Sequence, residues 1–203
     1  MYKRVIKRGL DFALALIGLT IAAIPMGMVA IAIKIESKGP VIFKQDRIGY
    51  KGKVYKMYKF RSMCVGAEKG GVYSDKSDSR VTRIGKFIRA TSIDELPQLI
   101  NVLKGDMALI GFRSPLTYHP WPWDEYTEEQ KKMFNVRPGI TGWAQVNGRK
   151  TVEWHKRIAL NVWYAENVSF LLDLKILFMT VFKVLINADN ENIGETIKKS
   201  RDV

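Results

Sequence analysis

A chain of 203 residues, 47% of them apolar, can bury one sizeable core and need not be split into several. With 33 Lys+Arg against 20 Asp+Glu, the formal charge of +13 points to an anionic partner: nucleic acid, an anionic membrane face or a phosphate-bearing substrate. A single cysteine, Cys64, excludes an internal disulfide and fits a reducing compartment, while His119 and His155 stand in no zinc-ligand spacing.

The first element is FALALIGLTIAAIPMGMVAIAI, residues 12–33, a run of 22 without a charge. As a straight helix it would extend about 33 Å, enough for a hydrocarbon core of about 30 Å. Pro25 lies inside it, where it removes an amide donor and crowds the preceding turn, and Gly27 softens the same place. Lys3, Arg4, Lys7 and Arg8 precede the run; Lys34, Lys38, Lys44 and Arg47 follow it. Basic flanks favour the cytoplasm, and one crossing cannot put both there. A helix-break-helix that dips in and returns can, with arms of about 20 Å and about 12 Å either side of Pro25. A single-pass anchor is the rival. A cleaved signal peptide would need a shorter apolar region, and a buried soluble helix of this length would need a polar face.

VIFKQDRIGYKGKVYKMYKF (41–60) predicts a β-hairpin around a Gly49–Gly52 turn. Residues 66–80, rich in Gly, Ser, Asp and Lys, read as an exposed loop; GAEKGG (66–71) lacks the pattern of a phosphate-cradling loop. In VTRIGKFIRA (81–90), Val81, Ile84 and Ile88 keep helical spacing among Arg80, Arg83, Lys86 and Arg89. ELPQLINVLKGD (95–106) predicts a short helix with Pro97 at its first position and an end near Gly105. SFLLDLKILFMTVFKVLI (169–186) is too polar to cross a bilayer and too apolar for water, so it packs on the core or lies in the membrane interface. The five tryptophans suit a membrane-surface belt or core packing alike.

The pair Asp94-Glu95 in TSIDELPQL (91–99) bears on chemistry. Ser92-x-x-Glu95 matches a capping box, but a helix begun at Ser92 would carry Pro97 in its interior. The two carboxylates therefore belong at the mouth of the 95–106 helix. RPGITGWAQVNGR (137–149) clusters amide and guanidinium donors, among them Arg137 and Gln145.

Taken together, KRGLD with its proline-interrupted run, FKQDRIGYKGKVYKMYKFRSM (43–63), DSRVTRIGKFIRATSIDELPQLINVLKGDMALIG (78–111), VRPGITGWAQVNGR (136–149) and YAENVSFLLDLKI (164–176) resemble the bacterial sugar transferases, specifically the small monotopic phosphoglycosyl transferases. The resemblance implies an α+β, mostly helical fold. Residues 1–36 would form a re-entrant membrane hairpin and 37–203 a cytoplasmic catalytic domain with one small β-hairpin and interfacial amphipathic helices. It also implies an enzyme on the cytoplasmic face of the bacterial inner membrane, moving a sugar phosphate from a UDP-sugar to undecaprenyl phosphate with release of UMP. In that family the acid pair is catalytic and Mg2+ is required, which makes Asp94 the expected nucleophile and Glu95 the metal-associated partner.

Such a reaction brings an anionic nucleophile, beside a second carboxylate, onto an anionic diphosphate; the cation and basic side chains must offset the repulsion. Arg89 is the first candidate phosphate clamp, followed by Arg113, Arg137, Lys59 and Arg61. The bilayer is a third anionic partner, and a homodimer is allowed for. Four positions depart from the family pattern: Ile24 before the break proline, Phe112 and Ser114 around Arg113, and Asn161 ahead of Tyr164. The rival is a non-catalytic basic module on a membrane surface. A nucleic-acid binder has no use for the 22-residue apolar run. The sugar and the pathway are not legible in the motifs.

Overall fold

The computed structural model describes residues 2–71, 78–148 and 153–185. A π-helical turn, Tyr2–Ile6, leads into α1, Lys7–Glu36, a helix of 30 residues. The expected break does not divide it in two. Pro25 lies inside α1, where its missing N–H removes one hydrogen bond without ending the helix.

α1 meets the rest of the molecule along one stripe. Lys7, Asp11, Ala15, Ala22 and Ile33 are buried, at spacings that keep to one helical face. Ile17, Ile21, Ile24, Met28, Ile31 and Ile35 face outward and are exposed. α1 is long and apolar enough to cross a bilayer, yet both of its ends contact the rest of the described fold. At its start Arg8 donates to Val102 O at 2.6 Å and Asp11 accepts from Leu109 N at 3.1 Å. At its end Ile33 packs on Phe60 and Ile88, and Glu36 accepts from the amides of Arg83 and Ile84 at 2.7 and 3.1 Å.

The hairpin forms as its turn predicts. β1 (Ile42–Ile48) pairs antiparallel with β2 (Val54–Phe60), Ile42 opposite Phe60 and Ile48 opposite Val54. The turn carries left-handed backbone at Lys51 (φ 53°) and Gly52 (φ 76°). α2 (Arg83–Ala90) is capped by the Thr82 hydroxyl, which accepts from Gly85 N, and buries Ile88 completely. α3 (Gln98–Lys104) starts directly after Pro97 and stops at Gly105, whose φ of 89° suits glycine. Asn101 on α3 accepts from Tyr58 N at 2.9 Å and donates to Lys56 O at 2.8 Å, stitching α3 to β2.

A second sheet was not foreseen. β3 (Ala108–Ile110) and β4 (Gly139–Thr141) pair in parallel, three residues each, too short to leave an alternating pattern. Their approach depends on glycine: a Cβ on Gly142 would collide with Gly111 O, and one on Gly111 with Arg137 O. Four helices complete the fold: α4 (Glu128–Lys131), α5 (Trp143–Val146), α6 (Trp154–Glu166) and α7 (Phe170–Leu185). The main core gathers Phe112, Phe134, Tyr126, Trp121, Tyr164 and Ile176. Trp121 belongs to it and Trp123, Trp143 and Trp154 pack against it, so core packing accounts for four of the five tryptophans.

α7 packs one face on the core and leaves an apolar face exposed. Asp173 and Ile176 point inward and are buried, whereas Leu171, Phe178 and Phe182 are exposed on the opposite side. Asp173 accepts from the hydroxyls of Tyr164 and Tyr2, each at 2.6 Å, and pairs with Lys7 at 2.9 Å. That cluster binds the first turn of α1 to α6 and α7. Arg149, residues 72–77 of the predicted loop and residues 186–203 lie outside the described residues.

Candidate functional site

Asp94 and Glu95 lie in one 3-10 turn, Ile93–Glu95, two residues ahead of α3. Ser92 is left-handed (φ 57°) and makes no capping bond, so the capping box does not form and the acids sit before the helix, as expected. Lys59, near the end of β2, places Nζ 2.6 Å from Glu95 Oε1 and 3.9 Å from Asp94 Oδ2. Arg113, three residues past β3, comes within 3.8 Å of Glu95 Oε1. Arg89, in the last turn of α2, donates to Ser62 Oγ at 2.8 Å and acts on Asp94 through its charge.

Asp94 is buried, and burial holds its carboxyl above the usual range. The Lys59 ammonium opposes that rise, Glu95 adds to it, and Arg89 and Arg113 oppose it in turn. A carboxylate this poorly solvated is a stronger nucleophile than one in water, and its three cationic neighbours keep the ionised form within reach.

Glu95 borders a cavity of about 310 Å3, with Asp94 beside it in the same turn. Glu95, Arg113, Gln145 and Lys183 are among its polar lining residues, and Leu96, Leu99, Leu109 and Leu177 among its apolar ones. Gln145 donates Nε2 to Ile140 O at 3.2 Å, while its buried Oε1 has no partner among the described residues. An orphaned acceptor of this kind suits a ligand that carries a donor.

Five of the expected site residues (Lys59, Arg89, Arg113, Gln145 and the acid pair counted as one) thus gather at one place; two do not. Arg61 is buried beneath the end of α1, donating to Lys38 O at 2.9 Å and to Ser37 O and Oγ, each at 2.8 Å. Arg137 donates to Gly105 O at 2.9 Å and lies over the Tyr50 ring. Arg47, Tyr55 and Ser114, none of them among the expected site residues, meet behind Arg113. Arg47 donates to Ser114 O at 2.8 Å, and burial together with the nearby Arg113 charge brings it down to about 10. The Tyr55 hydroxyl, pushed up to about 12 by burial, bonds Ser114 Oγ at 2.9 Å. Ser114 therefore fixes the loop behind Arg113 by hydrogen bonds. The D-R-I-G-Y run was the available signal for Arg47.

Asp94 and Glu95 offer adjacent hard oxygens, and no cluster of three His, Cys, Asp or Glu occurs among the described residues. Mg2+ is commonly held by one or two carboxylates, with substrate phosphates and water supplying the rest, so this donor set fits it.

A family model described as bacterial sugar transferase matches residues 2–187. A Bacillus subtilis protein described as the uncharacterized sugar transferase EpsL is 45% identical over 193 residues, covering 95% of this chain and 92% of its own length. The UDP-glucose:undecaprenyl-phosphate glucose-1-phosphate transferase of Escherichia coli is 42% identical over 190 residues, 91% of this chain and 41% of that protein. An Aeromonas hydrophila UDP-N-acetylgalactosamine-undecaprenyl-phosphate N-acetylgalactosaminephosphotransferase is 42% identical over 184 residues, 89% of this chain and 44% of that protein. The chain thus spans less than half the length of both relatives named for a substrate.

Proposed function

The chain belongs to the bacterial sugar transferase family, and on that premise we propose that it transfers a sugar phosphate from a UDP-sugar to undecaprenyl phosphate, releasing UMP and starting a glycan on its lipid carrier. The observation that carries this reading is the buried Asp94 beside Glu95, ringed by Lys59, Arg89 and Arg113, with Glu95 and Arg113 lining a largely apolar cavity.

In the proposed mechanism an ionised Asp94 oxygen attacks the sugar-bearing phosphorus. The bond from that phosphorus to the UMP oxygen breaks, and UMP leaves with the electron pair. The resulting acyl phosphate keeps the activation of the diphosphate, so a lipid phosphate oxygen can attack the same phosphorus and return Asp94 as a carboxylate. Two simpler steps replace a single encounter of a soluble with a lipid substrate. Arg89 and Arg113 stand where they can pair with phosphoryl oxygens, and Lys59 holds Glu95 and keeps Asp94 ionised. Mg2+, held by Asp94 and Glu95, would neutralise diphosphate charge and stabilise the leaving group. The apolar side chains of that lining, Leu96, Leu99, Leu109 and Leu177 among them, suit the first isoprene units of the lipid.

The same reading makes the enzyme monotopic on the cytoplasmic face, with α1 bending at Pro25 as one continuous helix and returning to that face. Supporting it, both ends of α1 bind the elements that build the site, a thing a crossing helix of about 45 Å could not do from opposite sides of a bilayer. The outward apolar face of α1 and that of α7 would contact acyl chains.

The test is UMP release from a panel of UDP-sugars, with and without polyprenyl phosphate and Mg2+. Asp94→Asn should abolish lipid-linked product while leaving the circular dichroism spectrum unchanged; normal turnover by that variant would remove Asp94 as nucleophile.

A further inference from the structure

The molecule has a second, larger cavity, of about 710 Å3, at the opposite end of α3 from the acid pair. Five cations line it, Lys3, Lys7, Arg8, Lys51 and Arg137, against one carboxylate, Asp11. They converge from distant parts of the sequence: the π-helical turn, the start of α1, the hairpin turn and the approach to β4.

Internal partners account for only part of this charge. Lys7 is satisfied, lying 2.9 Å from Asp173 and 3.7 Å from Asp11. Arg8 donates to Val102 O and Leu103 O, Arg137 to Gly105 O, and Lys3 to Ala165 O at 2.6 Å. Those acceptors are neutral carbonyls at helix ends, and a whole helix terminus offsets only about half a charge. Each guanidinium keeps further N–H groups beyond the bonds named. Burial and the neighbouring Arg137 charge both lower the pKa of Arg8, so the two guanidiniums repel across the space between them.

The hairpin turn adds its cation by a strained route. Lys51 is one of two non-glycine residues with positive φ among those described, and its ammonium lies over the Tyr50 ring at 5.5 Å. The Arg137 guanidinium lies over the same ring at 5.4 Å, so Tyr50 positions two cations together. Apolar side chains border the region: Val5, Ile6 and Leu10 are exposed beside the N-terminal cations, and Phe170 and Leu171 follow Val168 of the lining.

We propose that this cavity binds a phosphate group, contacted by Lys51 and Arg137 on one side and by Lys3 and Arg8 on the other. The site is separate from the acid pair and independent of the transfer reaction. Its chemistry serves a phospholipid headgroup and a free phosphate alike.

Two arms separate those sources, using the full chain purified in detergent. One titrates orthophosphate and pyrophosphate by calorimetry. The other titrates phosphatidylglycerol against phosphatidylcholine and counts retained lipids by native mass spectrometry. Lys3→Gln/Lys51→Gln is compared with wild type and with Lys53→Gln/Lys86→Gln, which removes equal charge from exposed positions elsewhere. Loss of two phosphate-facing lysines should weaken binding roughly tenfold in at least one arm. Weakening for phosphatidylglycerol alone assigns the site to a headgroup; weakening for the inorganic anions admits free phosphate. If the cavity variant matches the charge control in both arms, the proposal fails.

Discussion

Asp173→Ala tests the cluster that fastens the start of α1. The carboxylate is buried and takes three charge-assisted contacts, from Tyr164 Oη and Tyr2 Oη at 2.6 Å and Lys7 Nζ at 2.9 Å. Removing it leaves the Lys7 ammonium, itself buried, with only Asp11 at 3.7 Å among the described residues. Breaking a buried pair from one side costs about 3–5 kcal/mol, and a lost hydrogen bond to a charged group about 1.5–3 kcal/mol. The contacts overlap and Asp11 retains part of the Lys7 interaction, so about 4 kcal/mol is expected for Asp173→Ala. Asp173→Asn keeps an acceptor and should cost about 2 kcal/mol. Lys7→Met on the Asp173→Ala background removes the stranded charge and should restore part of the loss. Urea unfolding in detergent, followed by tryptophan fluorescence, measures all three. A loss below about 1 kcal/mol for Asp173→Ala, or no recovery in the double variant, would refute the claim that this cluster anchors α1.

The other predictions concern the site, the glycine contact and the topology. Because burial raises the pKa of Asp94, the ionised nucleophile is lost as pH falls through a value above the ordinary carboxylate range. Lys59→Gln removes the strongest opposing charge, so the acid limb of kcat/KM should move to higher pH; a limb that stays or moves down contradicts the assignment. Gly142→Ala forces a Cβ onto Gly111 O and should lower stability by about 1–3 kcal/mol, read by thermal unfolding. With Cys64 replaced by Ser, cysteines placed at positions 3 and 38 should both be labelled only from the cytoplasmic side in intact cells. Labelling of position 3 from outside would favour the single-pass anchor.

The acid pair was legible because the proline rules were. Pro97 cannot sit inside a helix begun at Ser92, so Asp94 and Glu95 had to precede α3, and they do. The hairpin was legible from its glycine turn. Arg61 was not. Strand alternation places 59 and 61 on one face, but β2 ends at Phe60, and Arg61 turns beneath the last residues of α1. Arg137 was equally opaque, since nothing local says that it faces Gly105 across the fold. Both are tertiary facts. The parallel pair β3–β4 left no trace because three residues cannot display a period.

The four unusual residues show how much a fold absorbs. Phe112 is completely buried and meets Phe134 edge-on at 5.1 Å, so it strengthens the core beneath Arg113. Ser114, with no proline ring to stiffen the loop, is bound by Tyr55 and Arg47. Rigidity behind Arg113 is then supplied by hydrogen bonds, which can be removed singly where a proline could not. Ile24 is exposed on the outward side of α1, and the helix continues past Pro25 without a hydroxyl there. Asn161 is buried with its Oδ1 unpartnered among the described residues, the least compensated of the four. An aspartate there would place a buried carboxylate in the same position with no partner among the described residues, at the cost of desolvating a charge. Asparagine fills the same volume and leaves a neutral amide oxygen unpaired, a smaller penalty than an unpaired buried charge.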